Sequence, residues 1–332
     1  MTIQVGILGL GMMGKCHHDT YAKIKGIKVA AICDGDDKKR RGDVGVFGKV
    51  DMSKYKVYRA AEELLSDPAI DVIDITLPTY LHAPYTIAAL QAGKHVICEK
   101  PMARTSAEAR QMIAVAKKTG QKLFLAHCLR FWPSYVKARE IILSGKYGRV
   151  LTARFCRLSP LPAWSWQNWL QDDSKSGRAA LDLHIHDADF VQYLFGKPKA
   201  VLSLGGGLVK KGYDHITTSY EYDGGRFVTA EGAWEYAPSF PFSMTFSIAM
   251  EGATLEMTRD LALAVCPMKG KAQPVKVPKG DGYEYELKHF AECIRRNADS
   301  DVIPPESALH SVQLVEAEIA SAQSRKPVAV KF

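Results

Sequence analysis

The chain has 332 residues, 47% hydrophobic, 24% charged and 9% aromatic, which excludes wholesale disorder and, at about 150 residues per domain, predicts two domains that each bury a core. Lys and Arg total 44 against 36 Asp and Glu, a net charge of +8; this admits a nucleic acid, an anionic membrane surface or an anionic small molecule as partner and selects none of them. The cysteines (Cys16, Cys33, Cys98, Cys128, Cys156, Cys266 and Cys293) are scattered and never form Cys-x-x-Cys, so neither a disulfide framework nor a zinc ribbon is indicated.

In chain order, the first part alternates short β-type runs with helical patterns, as a parallel sheet with crossover helices does. Strands are predicted at Gln4 to Leu8, Lys28 to Cys33, Val72 to Thr76, His95 to Cys98 and Lys122 to Ala126, each rich in Val, Ile or Leu, as strands covered on both faces are. Helices are predicted from Tyr80 to Ala92, closed by Gly93, and from Ser106 to Lys118, closed by Gly120. The Gly-, Lys- and Asp-rich stretch from Asp34 to Tyr55 carries no assignable pattern. From Leu151 the rhythm changes. Val201 to Leu204, His215 to Tyr222, Arg226 to Trp234, Phe242 to Met250 and Thr254 to Met257 alternate apolar and polar residues, with turns at Gly205-Gly206-Gly207 and Asp223-Gly224-Gly225, which reads as an antiparallel meander. Helices at Ser134 to Leu143 and Asp182 to Phe195 precede it, and Gly282 to Arg296 and Ser307 to Gln323 follow. No repeat or low-complexity segment interrupts the chain. No run approaches the ~20 apolar residues of a membrane-spanning helix, and the amino terminus is unlike a signal peptide, so a complete cytoplasmic chain with reduced thiols is expected.

The first strand runs into Gly9-Leu10-Gly11-Met12-Met13-Gly14, a Gly-x-Gly-x-x-Gly pattern at a strand-to-helix turn. Gly9 allows the tight turn, Gly11 lets backbone approach a pyrophosphate, Gly14 allows close helix packing, and the helix amino terminus opened by Met12 and Met13 favours anionic oxygens. About twenty residues on, Asp34 ends the second strand, where a carboxylate accepts hydrogen bonds from the adenosine ribose hydroxyls and repels a 2′-phosphate. Alone, the glycines fit a turn needed only for packing; with strand, helix, second strand and acid in order they predict a dinucleotide. Asp34 favours NAD, while the basic run Lys38-Lys39-Arg40-Arg41 keeps NADP possible. The expected fold is therefore α/β, a Rossmann-type doubly wound parallel sheet over residues 1–126, followed over residues 127–332 by an α+β domain with a mostly antiparallel open sheet.

Further motifs narrow the reading. Thr76-Leu77-Pro78-Thr79-Tyr80-Leu81-His82 follows one strand, and Gly93-Lys94-His95-Val96-Ile97-Cys98-Glu99-Lys100-Pro101 forms and leaves the next. Arg130-Phe131 with Pro133 and Tyr135, then Gly148-Arg149-Val150, then Gly177-Arg178-Ala179-Ala180-Leu181-Asp182-Leu183-His184-Ile185-His186-Asp187 come after. In these motifs and their order, over nearly its whole length, the chain resembles the Gfo/Idh/MocA family of NAD(P)-dependent oxidoreductases. The resemblance implies that Lys100, Asp182 and His186 are the catalytic group, that Thr76, Pro78, His82, Glu99 and Lys100 join the glycine loop at the cofactor, and that Cys128 and Arg130 lie at the substrate with the catalytic group. Residue chemistry agrees. Lys100 follows a parallel strand at its carboxyl end, where its ammonium can stabilise charge developing on oxygen. Asp182 and His186, four residues apart, project from one face of a helix, and the carboxylate can orient the imidazole as a base near neutral pH.

The sequence departs from the family pattern at Ser176-Gly177-Arg178, where glycines are usual, at His184, usually Gly, and at His127-Cys128, usually Phe-Asn. At about 100° per residue His184 faces away from His186 and reads as packing. Cys16-His17-His18-Asp19 looks like a metal cluster as text, but consecutive helical residues diverge, and no metal is expected. Trp164-Ser165-Trp166-Gln167-Asn168-Trp169 interleaves aromatic faces with amides, which suits a sugar ring, so Trp164 and Trp166 are substrate candidates; packing at a domain or subunit interface is the alternative. The reading is an oxidoreductase moving a hydride between a nicotinamide cofactor and a secondary alcohol or ketone of a sugar, inositol or related polyol. An NADPH-dependent sugar ketone reductase, a redox-neutral enzyme that retains NAD and a non-catalytic cofactor-binding regulator are the alternatives. Neither nucleic acid nor membrane is expected as partner; the resemblance implies a homo-dimer or homo-tetramer formed through the open sheet of a substrate-binding and oligomerisation domain.

Overall fold

The computed structural model describes residues 2–207 and 211–332. In chain order these form β1 (Ile3–Leu8), α1 (Met12–Tyr21), β2 (Ile27–Cys33), a helical turn α2 (Asp37–Arg40), β3 (Lys56–Tyr58), α3 (Ala61–Ser66), β4 (Val72–Ile75), α4 (His82–Gln91), β5 (His95–Glu99), α5 (Ser106–Thr119) and β6 (Leu123–Ala126). Then come α6 (Pro133–Leu143), β7 (Val150–Pro160), a helical turn α7 (Asp173–Ser176), α8 (Ile185–Phe195), β8 (Ala200–Gly206), β9 (His215–Glu221), β10 (Phe227–Tyr236), β11 (Ser243–Met250), β12 (Ala253–Met257), β13 (Leu263–Pro267), β14 (Gln273–Pro274), α9 (Gly282–Arg295), α10 (Pro305–Ser324) and β15 (Val328–Ala329). No helix among the described residues is long and apolar enough to cross a membrane.

Two compact units result, one of Met1–Cys128, Trp164–Trp169 and Gly282–Leu309, the other of Leu129–Ala163, Leu170–Asp281 and His310–Phe332. Residues 1–126, expected as the first domain, fall in the first unit, which also takes in residues 164–169 and α9. The helix belongs with the first unit because its apolar face packs on α1 and Phe290 stacks on Phe124 at 5.0 Å.

The first unit is the expected doubly wound sheet, six parallel strands in the order β3-β2-β1-β4-β5-β6. The order in which strands are added reverses between β1 and β4, and in such a sheet ligands bind at the carboxyl ends of the strands beside this switch point. The buried pattern of β4 and of Val96 to Glu99 in β5 matches strands covered on both faces. Thr105 caps α5 by accepting from the Glu108 amide at 3.2 Å, and Gly120, in the left-handed conformation, closes it.

In the second unit nine strands run β14-β13-β12-β11-β7-β10-β9-β8-β15. The sheet is mostly antiparallel, but it is not a simple meander: β7, at its centre, pairs parallel with β10 and antiparallel with β11. Gly205 and Gly206, expected in a turn, extend β8, paired with Ile216 and His215. One sheet face is covered by a ring cluster in which Tyr135 lies edge-on to Phe190 at 4.8 Å and to Phe246 at 5.2 Å. The single helix expected from Asp182 to Phe195 is interrupted. Ala179–Leu183 form a π-type turn in which the His184 amide donates to the Ala179 carbonyl at 2.8 Å, and α8 starts only at Ile185.

Candidate active site

The glycine loop leaves the carboxyl end of β1. Gly9 has φ +102°, and a side chain on Gly14 would fall on the Gly9 carbonyl oxygen, so both positions need glycine. Gly11, by contrast, faces open space: a Cβ there would meet no atom within 4 Å. It precedes α1, whose first turn holds Met12 and Met13 and has no side-chain cap or acidic residue. Free backbone donors above an open cradle are what a pyrophosphate requires. Thr76, at the end of β4, braces the loop by donating from its hydroxyl to the Gly9 carbonyl at 2.5 Å.

Asp34 is buried at the carboxyl end of β2, where it accepts the Leu10 amide at 2.7 Å and the Asp36 amide at 2.8 Å. The basic run after it divides. Arg40 donates to the Asp34 and Gly35 carbonyls, both at 2.8 Å, Arg41 pairs with Asp37, and Lys39 lies 3.6 Å from the Asp34 carboxylate. Lys39 also sits 5.9 Å over the Trp166 ring, and Trp164 stands edge-on to Phe47 at 5.3 Å. Both exposed tryptophans thus pack on residues that follow Asp34 in the first unit.

Lys100 is half-buried directly after β5. His82, fully buried, has its ring nitrogens 2.7 Å from the Pro101 carbonyl oxygen and 2.8 Å from that of Leu77, so it spans the loops after β5 and β4, with Pro78 in the latter. Glu99 turns inward, where its Oε2 accepts the Lys100 amide at 3.0 Å and its Oε1 lies 3.2 Å from Nε2 of His17. Burial works against this carboxylate, but His17 and the Lys100 ammonium hold it below the usual range. Cys128 is buried beyond β6.

In the second unit, Asp182 lies in the π-type turn and His186 in the first turn of α8, both half-buried. Arg178, just before them, has φ +53° and ψ −155°, a conformation that favours glycine, and is held there by its side chain. Its guanidinium grips both Asp214 oxygens at 2.7 and 2.6 Å and donates to the Gln171 carbonyl. His184, fully buried, pairs with Glu318 at 3.0 Å; burial lowers its proton affinity, and the Glu318 charge more than reverses this. Arg157 forks onto Asp187 at 2.8 and 3.2 Å. Arg130 forks onto Asp189 at 2.9 and 2.7 Å and stacks on Tyr193, so its guanidinium serves the interior.

Residues 3–127 match the model of the oxidoreductase family with an NAD-binding Rossmann fold, and residues 135–256 match the GFO/IDH/MocA C-terminal domain. The chain belongs to the Gfo/Idh/MocA family of oxidoreductases. Among relatives of this family, trans-1,2-dihydrobenzene-1,2-diol dehydrogenase of Macaca fuscata fuscata is 30% identical over 300 residues, 83% of each chain. The 1,5-anhydro-D-fructose reductase of Ensifer adhaerens is 34% identical over 163 residues, 48% of this chain and 49% of that one. An inositol 2-dehydrogenase of Salmonella paratyphi B is 29% identical over 205 residues, 59% of this chain and 56% of that one. In fold, levoglucosan dehydrogenase in complex with NADH and levoglucosan superposes with a TM-score of 0.87 over 100% of both chains at 23% identity.

Within this Gfo/Idh/MocA chain the glycine loop and Asp34 form a cradle that fits NAD. Sequence reasoning missed His17, Asp74, Asp214 and Glu318. For His17 and Asp74 a signal existed: Gly14, His17 and Tyr21 share the buried face of α1, and Asp74 interrupts the apolar run of β4. Ionisable groups in both places need partners, and they find each other at 2.9 Å.

Proposed function

We propose that the protein oxidises a secondary alcohol of a sugar, inositol or related polyol, or reduces the corresponding ketone, with NAD favoured over NADP. The observation that carries this reading is Lys100 at the carboxyl edge of the NAD-binding sheet, its backbone amide anchored by Glu99; the family order of motifs joins it with Asp182 and His186. The glycine loop and the first turn of α1 hold the pyrophosphate, Asp34 the adenosine ribose, and the bound nicotinamide ring supplies the hydride acceptor or donor. In oxidation His186 takes the hydroxyl proton, Asp182 orients its imidazole, and the Lys100 ammonium donates a hydrogen bond to the oxygen as it becomes a carbonyl. Reduction returns the proton by the same groups. The relatives, an anhydrofructose reductase, a dihydrodiol dehydrogenase and an inositol dehydrogenase, support a carbon bearing a hydroxyl or a keto oxygen as the reacting centre.

Trp164 and Trp166 are assigned to the adenosine side of the cofactor rather than the substrate, because they border Lys39 and Phe47, and Arg130 is assigned to packing. Leu202, Leu204 and Phe227 of the second sheet are exposed, which supports homo-oligomer formation through that sheet. The test is a sugar and polyol panel followed at the NADH absorbance band with both cofactors, on the native chain and on Lys100→Ala and His186→Ala. Both variants are expected to lose at least about a hundredfold in kcat and to retain NADH binding within about threefold. Near-native turnover in either one overturns its role.

A further inference from the structure

His17 stands inside the first unit with a carboxylate at each ring nitrogen. Nδ1 lies 2.9 Å from Asp74 Oδ2 and Nε2 lies 3.2 Å from Glu99 Oε1, and His17 and Asp74 are wholly buried. The Tyr21 hydroxyl donates to the same Asp74 oxygen at 2.8 Å, and the second Glu99 oxygen accepts the Lys100 amide. From α9, the Tyr283 ring stands 6.4 Å from the imidazole, and buried Glu286 acts electrostatically on Tyr21 and Tyr283. A neutral imidazole has one N–H and would turn a lone pair on one of the two carboxylates; an imidazolium donates to Asp74 and sets its second N–H 3.2 Å from Glu99 Oε1 as a charge contact. Burial alone would strip its proton, and Asp74 and Glu99 together hold its affinity well above the ordinary value. Charges then alternate from Asp74 through His17 and Glu99 to the Lys100 ammonium.

We propose that His17 is a positioning residue, a buried cation that pins the Glu99 carboxylate against the Lys100 amide and fixes the placement and charge environment of the Lys100 side chain. The proposal rests on the reading of Lys100 as a catalytic residue. Without the charge on His17, Glu99 keeps Lys100 as its cationic neighbour, and the field at the lysine becomes more negative.

Two measurements test this. In native protein labelled with ¹⁵N-histidine, both ring nitrogens of His17 are expected to be protonated at pH 7.5; a neutral tautomer there overturns the proposal whether or not any variant folds. Second, competitive acetylation read by mass spectrometry as a function of pH gives the Lys100 proton affinity without substrate or cofactor. His17→Gln is expected to raise that affinity about tenfold and to lower kcat roughly ten- to a hundredfold, with KM for NAD within about threefold. The double variant His17→Gln/Glu99→Gln, which removes both charges, should return Lys100 to its native titration. An unchanged Lys100 titration in His17→Gln, or one the double variant fails to restore, overturns the proposal. Full turnover in Lys100→Ala instead overturns the reading of Lys100, an outcome separable because the acetylation titration needs no catalysis.

Discussion

Two buried histidines support the two halves of the proposed catalytic group in different ways. His17 in the first unit lies between two carboxylates on adjacent parallel strands, β4 and β5, in line with the residue it supports. His184 in the second unit meets one carboxylate, Glu318 on α10, with the Tyr220 hydroxyl at 3.4 Å, two residues before His186. Around His184 the backbone is irregular: a π-type turn follows a strained Arg178, and separate buried pairs, Arg178 with Asp214 and Arg157 with Asp187, hold its ends. The parallel sheet sets where Lys100 leaves β5, so its support has only to orient the side chain and tune its charge. Asp182 lies in the π-type turn and His186 only in the first turn of α8, so their supports carry the geometry as well. Damage to the support of Lys100 is therefore expected to be electrostatic and local, and damage to those of Asp182 and His186 structural.

The largest expected effect breaks a support in the second unit. Asp187→Asn leaves the Arg157 guanidinium buried without its charge partner and should cost about 3–5 kcal/mol, a large share of an ordinary domain's stability. Urea unfolding measures it, and a loss below about 1 kcal/mol would show that the pair does not hold the segment. Next comes Gly14→Ala, whose methyl group meets the Gly9 carbonyl oxygen and the Thr76 hydroxyl. A strain of about 1–3 kcal/mol at the cradle should weaken NADH binding roughly tenfold or more, read by fluorescence titration. Native affinity in that variant would mean that the loop yields and does not set the cradle.

How much of this was legible in the sequence follows the same division. The glycine loop and Asp34 are read locally, because turn, helix start and strand end each need particular residues at fixed spacing, and the strands of the first sheet start and stop within about two residues of expectation. β3 escaped because three residues, two of them exposed, carry no periodicity, and α3 because six residues give less than two turns of pattern. The parallel pairing of β7 with β10 escaped because alternation gives burial without direction. A regular 3.6-residue repeat was assumed across Asp182 and His186; the extra residue of the π-type turn and the strained Arg178 are held by Asp214 and Glu318, partners far along the chain. The Asp74, His17 and Glu99 cluster is likewise a product of topology, since strand order decides which buried charges meet.

The titration of His184 sharpens the comparison. Its folded proton affinity lies above the unfolded value of about 6.5, so its contribution to stability is complete below that pH and disappears as pH rises through the folded value. Glu318→Gln should therefore lower Tm most at pH 6 and progressively less towards pH 9, whereas a constant difference would mean that His184 is neutral throughout.

Asp67, in the first unit but remote from Lys100, is the control with the smallest expected effect. Lys56 first, then the Ala69 amide and the Tyr58 hydroxyl, hold its carboxyl down to about 2. The sign is opposite to that of His184: the folded value is depressed, so the stabilisation is present above the unfolded value of about 3.9 and is lost as pH falls towards 2. The Lys56 side chain is exposed, so solvent screens the pair and Asp67→Asn should cost under about 1 kcal/mol near neutrality. Tm measured from pH 7 downward should show the small difference narrow below pH 4. If it stays constant, the packing of Asp67 rather than its charge stabilises this corner; if Lys100 also titrates differently in the variant, the charge effects of the first unit extend further than the His17 cluster.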